Sequence, residues 1–211
     1  MPRVSWIFLI RDSQETVRRQ LLYMNRLMLP PWLEIIFCDD HSDPPIKLKY
    51  EPNFSYQHIV HTKPGDWNLC AGFNFAAKHS LAQYYMFAGI DHMISDEFVD
   101  WARTAEDDWI GFEREVALLN KYGELIDLKE RYPSSAVNWI RAKTFWHLNG
   151  LDERFDGGRF GSDLDLGRRW GEMRGVKGVR KYVAPEEVFY YMFPDRQDPL
   201  RPDRMFHSLP G

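Results

Sequence analysis

The stretch YYMFAGIDHMI, residues 84–94, decides how the rest of the chain is interpreted. Its first residues are apolar and aromatic, which is typical of a strand buried on both faces of a sheet. Asp91 and His92 follow, so a carboxylate and an imidazole lie at the carboxyl end of the predicted strand. Ligands of open α/β sheets bind in the crevice outside the carboxyl ends of the strands. The pair therefore indicates a site for a divalent cation and a diphosphate, or else an aspartate that caps the next turn.

Two further buried strands are predicted nearer the start of the chain, at residues 4–10 (VSWIFLI) and 33–38 (LEIIFC). Between them, residues 13–29 have the apolar spacing of a helix that begins at Ser13 and is stopped by the prolines at positions 30 and 31. Strand, helix and strand in this order predict a right-handed βαβ unit. We therefore expect an α/β fold with a central mixed, mostly parallel sheet and helices on both faces.

The composition limits the class of protein. The net charge of −4 argues against a general nucleic-acid binder, which would carry a basic stripe. The sequence has no signal peptide and no apolar run of membrane-spanning length, which predicts a soluble, cytoplasmic protein without a membrane span. The only cysteines, Cys38 and Cys70, lie in apolar settings and are predicted to be buried free thiols.

The second candidate site is the pair Asp39 and Asp40, directly after a buried strand. Carboxylates in this position can accept hydrogen bonds from a base or a ribose hydroxyl. A turn rich in Asp, Ser and Pro that needs no ligand would give the same pattern. The chain lacks a Gly-x-Gly-x-x-Gly after its first strand and a Gly-Lys-Ser/Thr loop, which disfavours a Rossmann dinucleotide site and a P-loop nucleotidase.

The third candidate site is GGRFGSDLDLGRRW, residues 157–170, which leads into a helix predicted over 162–173. Asp163 and Asp165 lie at the junction of loop and helix, where one of them could be the N-cap. A carboxylate there stays ionised because the helix dipole favours its charge, so it could act as a general base. Further candidates are three tryptophans that could stack on a sugar or base and a tail histidine that could reach a metal: Trp67, Trp139, Trp170 and His207.

Four pieces in this order resemble the GT-A-fold nucleotide-sugar glycosyltransferases of family 2. They are VSWIFLIRDS, EIIFCDDHSD, GFNFAAKHSLAQYYMFAGIDHM and NGLDERFDGGRFGSDLDLGRRW, which together span residues 4–170. The last piece is the most specific of the four. A narrower resemblance is to large-virus enzymes that act on capsid glycan.

The resemblance implies roles for individual residues. It places Asp39 and the backbone of Leu9, Ile10 and Arg11 at the uracil, and Asp91 and His92 at the ribose and the metal. Asn74 matches the asparagine of the family's helix. Asp163 matches the catalytic base of inverting members, and Asp165 matches the structural aspartate that follows this base. The chain departs from the family at Gly89, where many relatives have an acidic residue, and at His92, Ser162 and Phe73. A histidine among the ligands favours Mn²⁺, with Mg²⁺ as the alternative.

The expected function is a metal-dependent, inverting hexosyltransferase that uses a UDP-sugar and a hydroxyl acceptor on a glycan or glycoprotein. One domain is expected, with a nucleotide-binding half at about 1–95, an acceptor half at about 96–193 and a tail or lid at 194–211. One alternative is a sugar nucleotidyltransferase, although IRDSQE is a poor match to its phosphate loop. The other is a binding module of the same fold without turnover.

Overall fold

The structure is a computed structural model that describes residues 1–48, 51–63, 65, 67–94, 96–119, 125–157, 161–175 and 189–192. For residues 111–137 and 189–192 it describes the backbone alone. All statements below concern these residues.

Strands and helices alternate through the first half of the chain. The strands are β1 (Val4–Ile10), β2 (Leu33–Asp40), β3 (Tyr56–His61), β4 (Tyr84–Gly89), β5 (His92–Ile94), β6 (Trp109–Leu119), β7 (Leu125–Arg141) and β8 (Phe189–Met192). The helices are α1 (Gln14–Met24), α2 (Leu69–His79), α3 (Asp96–Ala102), α4 (Ala142–His147) and α5 (Ser162–Met173), with a 3-10 turn at Glu153–Phe155. Among the described residues, no helix is long and apolar enough to cross a membrane.

One sheet carries all of these strands in the order β3-β2-β1-β4-β7-β6-β8-β5. β1 pairs in parallel with β2 and β4, and β2 pairs in parallel with β3. β7 joins β4 antiparallel and continues the sheet into the second half of the chain. The predicted mixed, mostly parallel sheet is therefore confirmed.

The alternation of side chains along β1 divides the core into two layers. Trp6 and Phe8 point to the face that α1 and α3 cover, where they pack with residues such as Leu21. Ile7 and Leu9 point to the opposite face, which α2, α4 and α5 cover. All seven residues of β1 are buried, as an apolar central strand requires, and the helices lie on both faces as predicted.

Two predicted elements differ from the observed ones. Helix α1 ends at Met24 rather than at Leu29, because the next N–H groups, of Arg26 and Leu27, donate to carbonyls three residues back at 3.0 and 3.1 Å, and Met28 has a φ of +48°. The two short strands predicted at 110–112 and 117–119 form one continuous strand, β6, because β7 pairs with it along its length. The turn predicted at 122–124 lies outside the described residues.

Candidate active site

The carboxyl ends of β1, β2 and β4 meet at one edge of the sheet. Ile10 lies opposite Asp39, and Leu9 lies opposite Gly89. The residues that follow these pairs, including Arg11, therefore gather at this edge. Leu9 and Ile10 are 2% and 0% exposed, so they can offer only their backbone to a ligand.

The Asp39 carboxylate holds the loop that follows β2. Its Oδ1 accepts from the backbone N–H of Ser42 at 2.9 Å, and its Oδ2 accepts from that of Ile46 at 3.1 Å. The residue is 1% exposed, so its side chain is enclosed by the loop that it shapes. Its predicted contact with a uracil stays a prediction.

Asp40 joins three strand ends to the start of α2. Its Oδ1 lies 3.0 Å from Nδ1 of His61 and accepts from the Asn68 side-chain amide at 3.2 Å. Its Oδ2 accepts from the Asn68 backbone N–H at 2.8 Å and lies 3.7 Å from the Arg11 guanidinium. The side chain is fully buried, so this carboxylate is a structural anchor beneath the edge.

The turn after β4 folds the His92 ring back over Gly89. The Gly89 N–H donates to His92 Nδ1 at 2.8 Å, so that nitrogen acts as an acceptor. Asp91 Oδ1 lies 3.7 Å from the same nitrogen, and the Asp91 side chain is 31% exposed. A Cβ at position 89 would lie 2.4 Å from Asp91 Oδ1 and 3.2 Å from His92 Nδ1. A side chain at position 89 would therefore meet the Asp91 carboxylate and the His92 ring.

A carboxylate from the second half of the chain caps helix α2. Asp156 Oδ1 accepts from the backbone N–H of Cys70 at 2.7 Å and of Ala71 at 3.4 Å. Lys63 forms ion pairs with Asp156 at 3.3 Å and with Glu153 at 3.2 Å. A helix start favours negative charge, and here the protein itself supplies that charge. This end of α2 is consequently occupied from within the fold.

Asn74 fastens the middle of α2 to the same segment. Its side-chain amide donates to the Leu151 carbonyl at 2.8 Å, and its Oδ1 accepts from the Leu151 N–H at 2.9 Å. Gly150 precedes this contact with a φ of +69°, and a Cβ there would lie 2.5 Å from Asn74 Oδ1. Both polar atoms of Asn74 thus hold the two halves of the chain together, while its predicted role at the nucleotide stays a prediction.

The first turn of α5 carries both predicted aspartates, but neither is its N-cap. Gly161 occupies that position with a φ of +106°, so the capping interpretation is wrong. Asp165 pairs with Arg168 at 2.9 Å and with Arg169 at 2.7 Å. Asp163 is half-buried, and its carboxylate has no hydrogen-bond or ion-pair partner among the residues that the structure describes.

A short series of contacts joins α5 to the turn after β4. Leu166 of α5 packs in the same hydrophobic cluster as Cys70 of α2. Two residues further along α2, a Cβ on Gly72 would lie 2.4 Å from Leu9 Cδ1, so the helix touches β1 there. Leu9 lies opposite Gly89, which begins the Asp91 turn. The helix that carries Asp163 and the turn that carries Asp91 are thus linked through α2 and β1.

Both cysteines are buried free thiols, as predicted. Burial raises the pKa of Cys70 to about 12, although the neighbouring Ser162 hydroxyl opposes the shift. Burial likewise raises the pKa of Cys38 to about 12. Both side chains therefore stay protonated at neutral pH and serve as small apolar groups in the core.

Two of the predicted sugar-stacking tryptophans are core residues. Trp139 is 0% exposed and lies between Tyr84 and Trp101, with ring centroids 4.7 and 4.9 Å away. Trp170 is 5% exposed and packs edge-on against Trp109 at 5.4 Å. Neither can receive a sugar without unpacking the core, so both predictions are wrong.

The remaining two candidates, Trp67 and His207, stay predictions. Trp67 is half-buried on the loop before α2, and its carbonyl accepts from the Gly157 N–H at 2.7 Å. That contact joins the two halves of the chain, and the predicted stacking of Trp67 on a sugar or base stays a prediction. His207 lies outside the described residues.

The donor set at this edge fits a cation that is shared with a substrate. No group of three or more His, Cys, Asp or Glu side chains is arranged to hold a metal within the described ranges. Asp91 offers a partly exposed carboxylate there, and His92 could contribute only Nε2 because Nδ1 accepts from Gly89. A hard cation bound to phosphates needs only one or two protein carboxylates. The residues therefore fit a phosphate-bridging ion and do not fit a cage made by protein alone.

Several solved glycosyltransferase structures share this fold. S. aureus TarS 1–349 superposes with a TM-score of 0.59 at 13% identity, over 92% of this chain and 60% of that one. The mannosyltransferase PcManGT from Pyrobaculum calidifontis, in complex with GDP-Man and Mn²⁺, gives 0.61 at 14% identity over 92% and 58%. S. aureus TarS 1–349 in complex with UDP-GlcNAc gives 0.57 at 13% identity over 92% and 59%.

These likenesses show the fold, which is the GT-A fold that the sequence motifs predict. The chain spans about three-fifths of the length of these structures. No family model and no curated protein matches the sequence.

Proposed function

We propose that the chain is a metal-dependent glycosyltransferase that moves a hexose from a UDP-sugar to a hydroxyl of a glycan or glycoprotein, with inversion. The observation that carries the proposal is that α5, the helix that bears Asp163, packs with α2, and α2 contacts β1 at Leu9, opposite Gly89 of the Asp91 turn. Support also comes from similar structures that hold UDP, UDP-GlcNAc or GDP-Man at low sequence identity.

In this proposal the Asp163 carboxylate is the general base. It accepts the proton of the acceptor hydroxyl while that oxygen forms a bond to the anomeric carbon of the sugar. The bond from that carbon to the diphosphate oxygen breaks on the opposite face, and the electron pair leaves with the nucleoside diphosphate. A carboxylate without a protein partner suits this task, because no donor competes for the incoming proton.

For the leaving group, Asp91 contributes the protein carboxylate that binds a cation on the diphosphate. When bound, Mn²⁺ or Mg²⁺ would neutralise the negative charge that builds on the leaving group. The backbone of residues 9–11 and the loop shaped by Asp39 would flank the base. The Arg11 side chain is 24% exposed at that point and can face a nucleotide.

The test is a thermal-shift panel with UDP, GDP and their sugar conjugates, each with and without Mn²⁺. A ligand at about 100 times its Kd stabilises the folded state by about 2.7 kcal/mol, which raises the melting temperature of a chain this long by about 5–10 °C. We expect that rise for UDP with Mn²⁺ and a much smaller one without metal. A larger rise with GDP would overturn the choice of donor, and no rise with any nucleotide would overturn the proposal.

A binding module of the same fold is the second candidate. The observations in its favour are Gly89 in place of an acidic residue and the engagement of His92 Nδ1 by the Gly89 N–H. Such a module would bind UDP-sugar without consuming it. Slow release of UDP from a UDP-sugar in Mn²⁺ would exclude it, and unchanged substrate after prolonged incubation would favour it.

A further inference from the structure

Helix α1 carries two buried polar side chains that reach the strand after the Asp91 turn. The Gln20 side-chain amide donates to the backbone carbonyl of His92, and the Tyr23 hydroxyl donates to that of Ile94 at 2.6 Å. Gln20 is 0% exposed and Tyr23 is 5% exposed. Neither contact is local, because the donors and acceptors are more than 70 residues apart in the chain.

The spacing of these contacts shows that α1 binds the side of β5 to which a further strand would otherwise pair. Gln20 and Tyr23 are three apart and share one helix face, while His92 and Ile94 are two apart and point their carbonyls to one side of β5. On its other side β5 pairs with β8, and in the described sheet β5 is an end strand. Two side chains of α1 thus satisfy the carbonyls that a further strand would otherwise bind.

Within the described part of the chain, Gln20 carries a destabilising feature, an unpaired buried oxygen, that Tyr23 lacks. Its Oε1 is buried and has no hydrogen-bond partner among the residues that the structure describes. A buried amide oxygen in this condition destabilises a protein, and an apolar residue of the same shape would avoid the cost. Retaining glutamine here is therefore explained by what its N–H does for His92 rather than by packing.

We propose that Gln20 is a positioning residue for the Asp91 turn. Among the described residues, the Asp91 carboxylate has only a 3.7 Å contact with His92, so the backbone on either side must set its direction. The Gly89 end of the turn is held by the His92 ring, and the His92 end is held by Gln20. The consequence for cation binding rests on the proposed function, whereas the bracing of the turn does not.

The test compares Gln20→Met, which keeps the length of the side chain, with Tyr23→Phe as the matched control. For Gln20→Met we expect amide hydrogen exchange to accelerate about tenfold over residues 91–94 in the ligand-free protein, which is the effect of losing one hydrogen bond. The melting temperature should stay close to that of the wild type, because the unpartnered oxygen is removed as well. For Tyr23→Phe the melting temperature should fall, because the Ile94 carbonyl is left unpaired.

Calorimetry then measures UDP binding with and without Mn²⁺. We expect Gln20→Met to weaken the Mn²⁺-dependent binding about tenfold, with metal-free binding unchanged, and Tyr23→Phe to change it less than about threefold. If Gln20→Met does not fold, Gln20→Leu serves the same purpose, since leucine is a good helix former. Unchanged exchange at residues 91–94 would overturn the positioning role. Accelerated exchange in a protein whose wild type binds no nucleotide would keep that role and reject the proposed function instead.

Discussion

The end of β2 and the first turn of α5 each present a pair of aspartates, yet the two regions use their carboxylates differently. At the end of β2, Asp39 and Asp40 are 1% and 0% exposed, and backbone or side-chain donors occupy every carboxylate oxygen. In α5, Asp165 is bound by two arginines while Asp163 has no partner within the described residues. The difference teaches that the donors around an aspartate, and not the aspartate itself, decide whether its carboxylate is engaged by the fold or stays available to a ligand.

The largest effect should come from Asp163→Asn, which removes a base and leaves the shape of the side chain. We expect kcat for sugar transfer to fall by about 10² to 10⁴-fold, the range found for loss of a general base. The melting temperature and UDP affinity should stay unchanged, because the carboxylate has no partner to lose. A transfer assay and a thermal melt check the two parts.

Asp100→Asn, on the exposed side of α3, is the matched control for this substitution. It should leave both transfer and melting unchanged. If Asp163→Asn lowers the melting temperature as much as it lowers turnover, then Asp163 belongs with the structural carboxylates and the comparison fails.

Asp40→Ala should have the opposite signature. It leaves the donors of Asn68 and the ring of His61 without their buried acceptor, and breaking a buried polar network of this kind costs about 3 kcal/mol. For a chain of this length that cost lowers the melting temperature by about 6–12 °C. Differential scanning calorimetry would show it, with Asp100→Ala as control. A variant that melts like the wild type but loses UDP binding would place Asp40 among the ligand-binding residues.

Gly72→Ala tests the contact between α2 and β1. The added Cβ would lie 2.4 Å from Leu9 Cδ1, and Leu9 is 2% exposed and cannot move aside freely. Overpacking of a core contact costs about 1–3 kcal/mol. Urea unfolding measures the loss, and Leu9→Ala in the same chain should recover part of it by making room. No recovery in the double variant would mean that Leu9 is not the obstacle.

Gly89→Ala tests the Asp91 turn more gently. Its Cβ meets Asp91 Oδ1, the end of a side chain that is 31% exposed and free to rotate away. The free energy of unfolding should therefore change little, while the displaced carboxylate should weaken Mn²⁺-dependent UDP binding by about tenfold, or about 1.4 kcal/mol. Calorimetry with and without Mn²⁺ separates the two effects. If Gly89→Ala bound UDP as tightly as the wild type both with and without Mn²⁺, Asp91 would not contribute to metal binding.

Local patterns in the sequence were sufficient for the sheet and for α5. The unbroken apolar runs of β1 and β4 predict central strands because such residues fit only where both faces are covered. The helix predicted at 162–173 matches α5, since its apolar spacing and its preceding glycine are both local signals. The alternation of strand and helix then leads to the parallel order of β3, β2, β1 and β4.

The contacts that sort the aspartates could not be predicted, because they join distant parts of the chain. Asp156 caps α2 from 86 residues away, and nothing near either partner announces the pairing. The place of Trp139 beside a motif predicts a sugar contact, although its strand buries it in the core. Gln20 did leave a signal, since it follows Val17 by three residues on the buried face of α1, where an apolar residue is expected.

Glu15 on α1 distinguishes the effect of having ion-pair partners from the effect of burial, because its carboxylate is paired with arginines but is 33% exposed. Its hydrogen bond to Arg18, with help from Arg19, lowers its pKa from 4.5 to about 2. A lowered pKa means that the carboxylate stabilises the folded state above about pH 4.5 and loses that contribution as the pH falls towards 2. Because solvent screens an exposed pair, Glu15→Gln should cost only about 0.5–1 kcal/mol at pH 7 and almost nothing at pH 2. Urea unfolding at the two pH values measures this, and a loss as large as that of Asp40→Ala would show that engagement alone, without burial, makes an aspartate or glutamate structural.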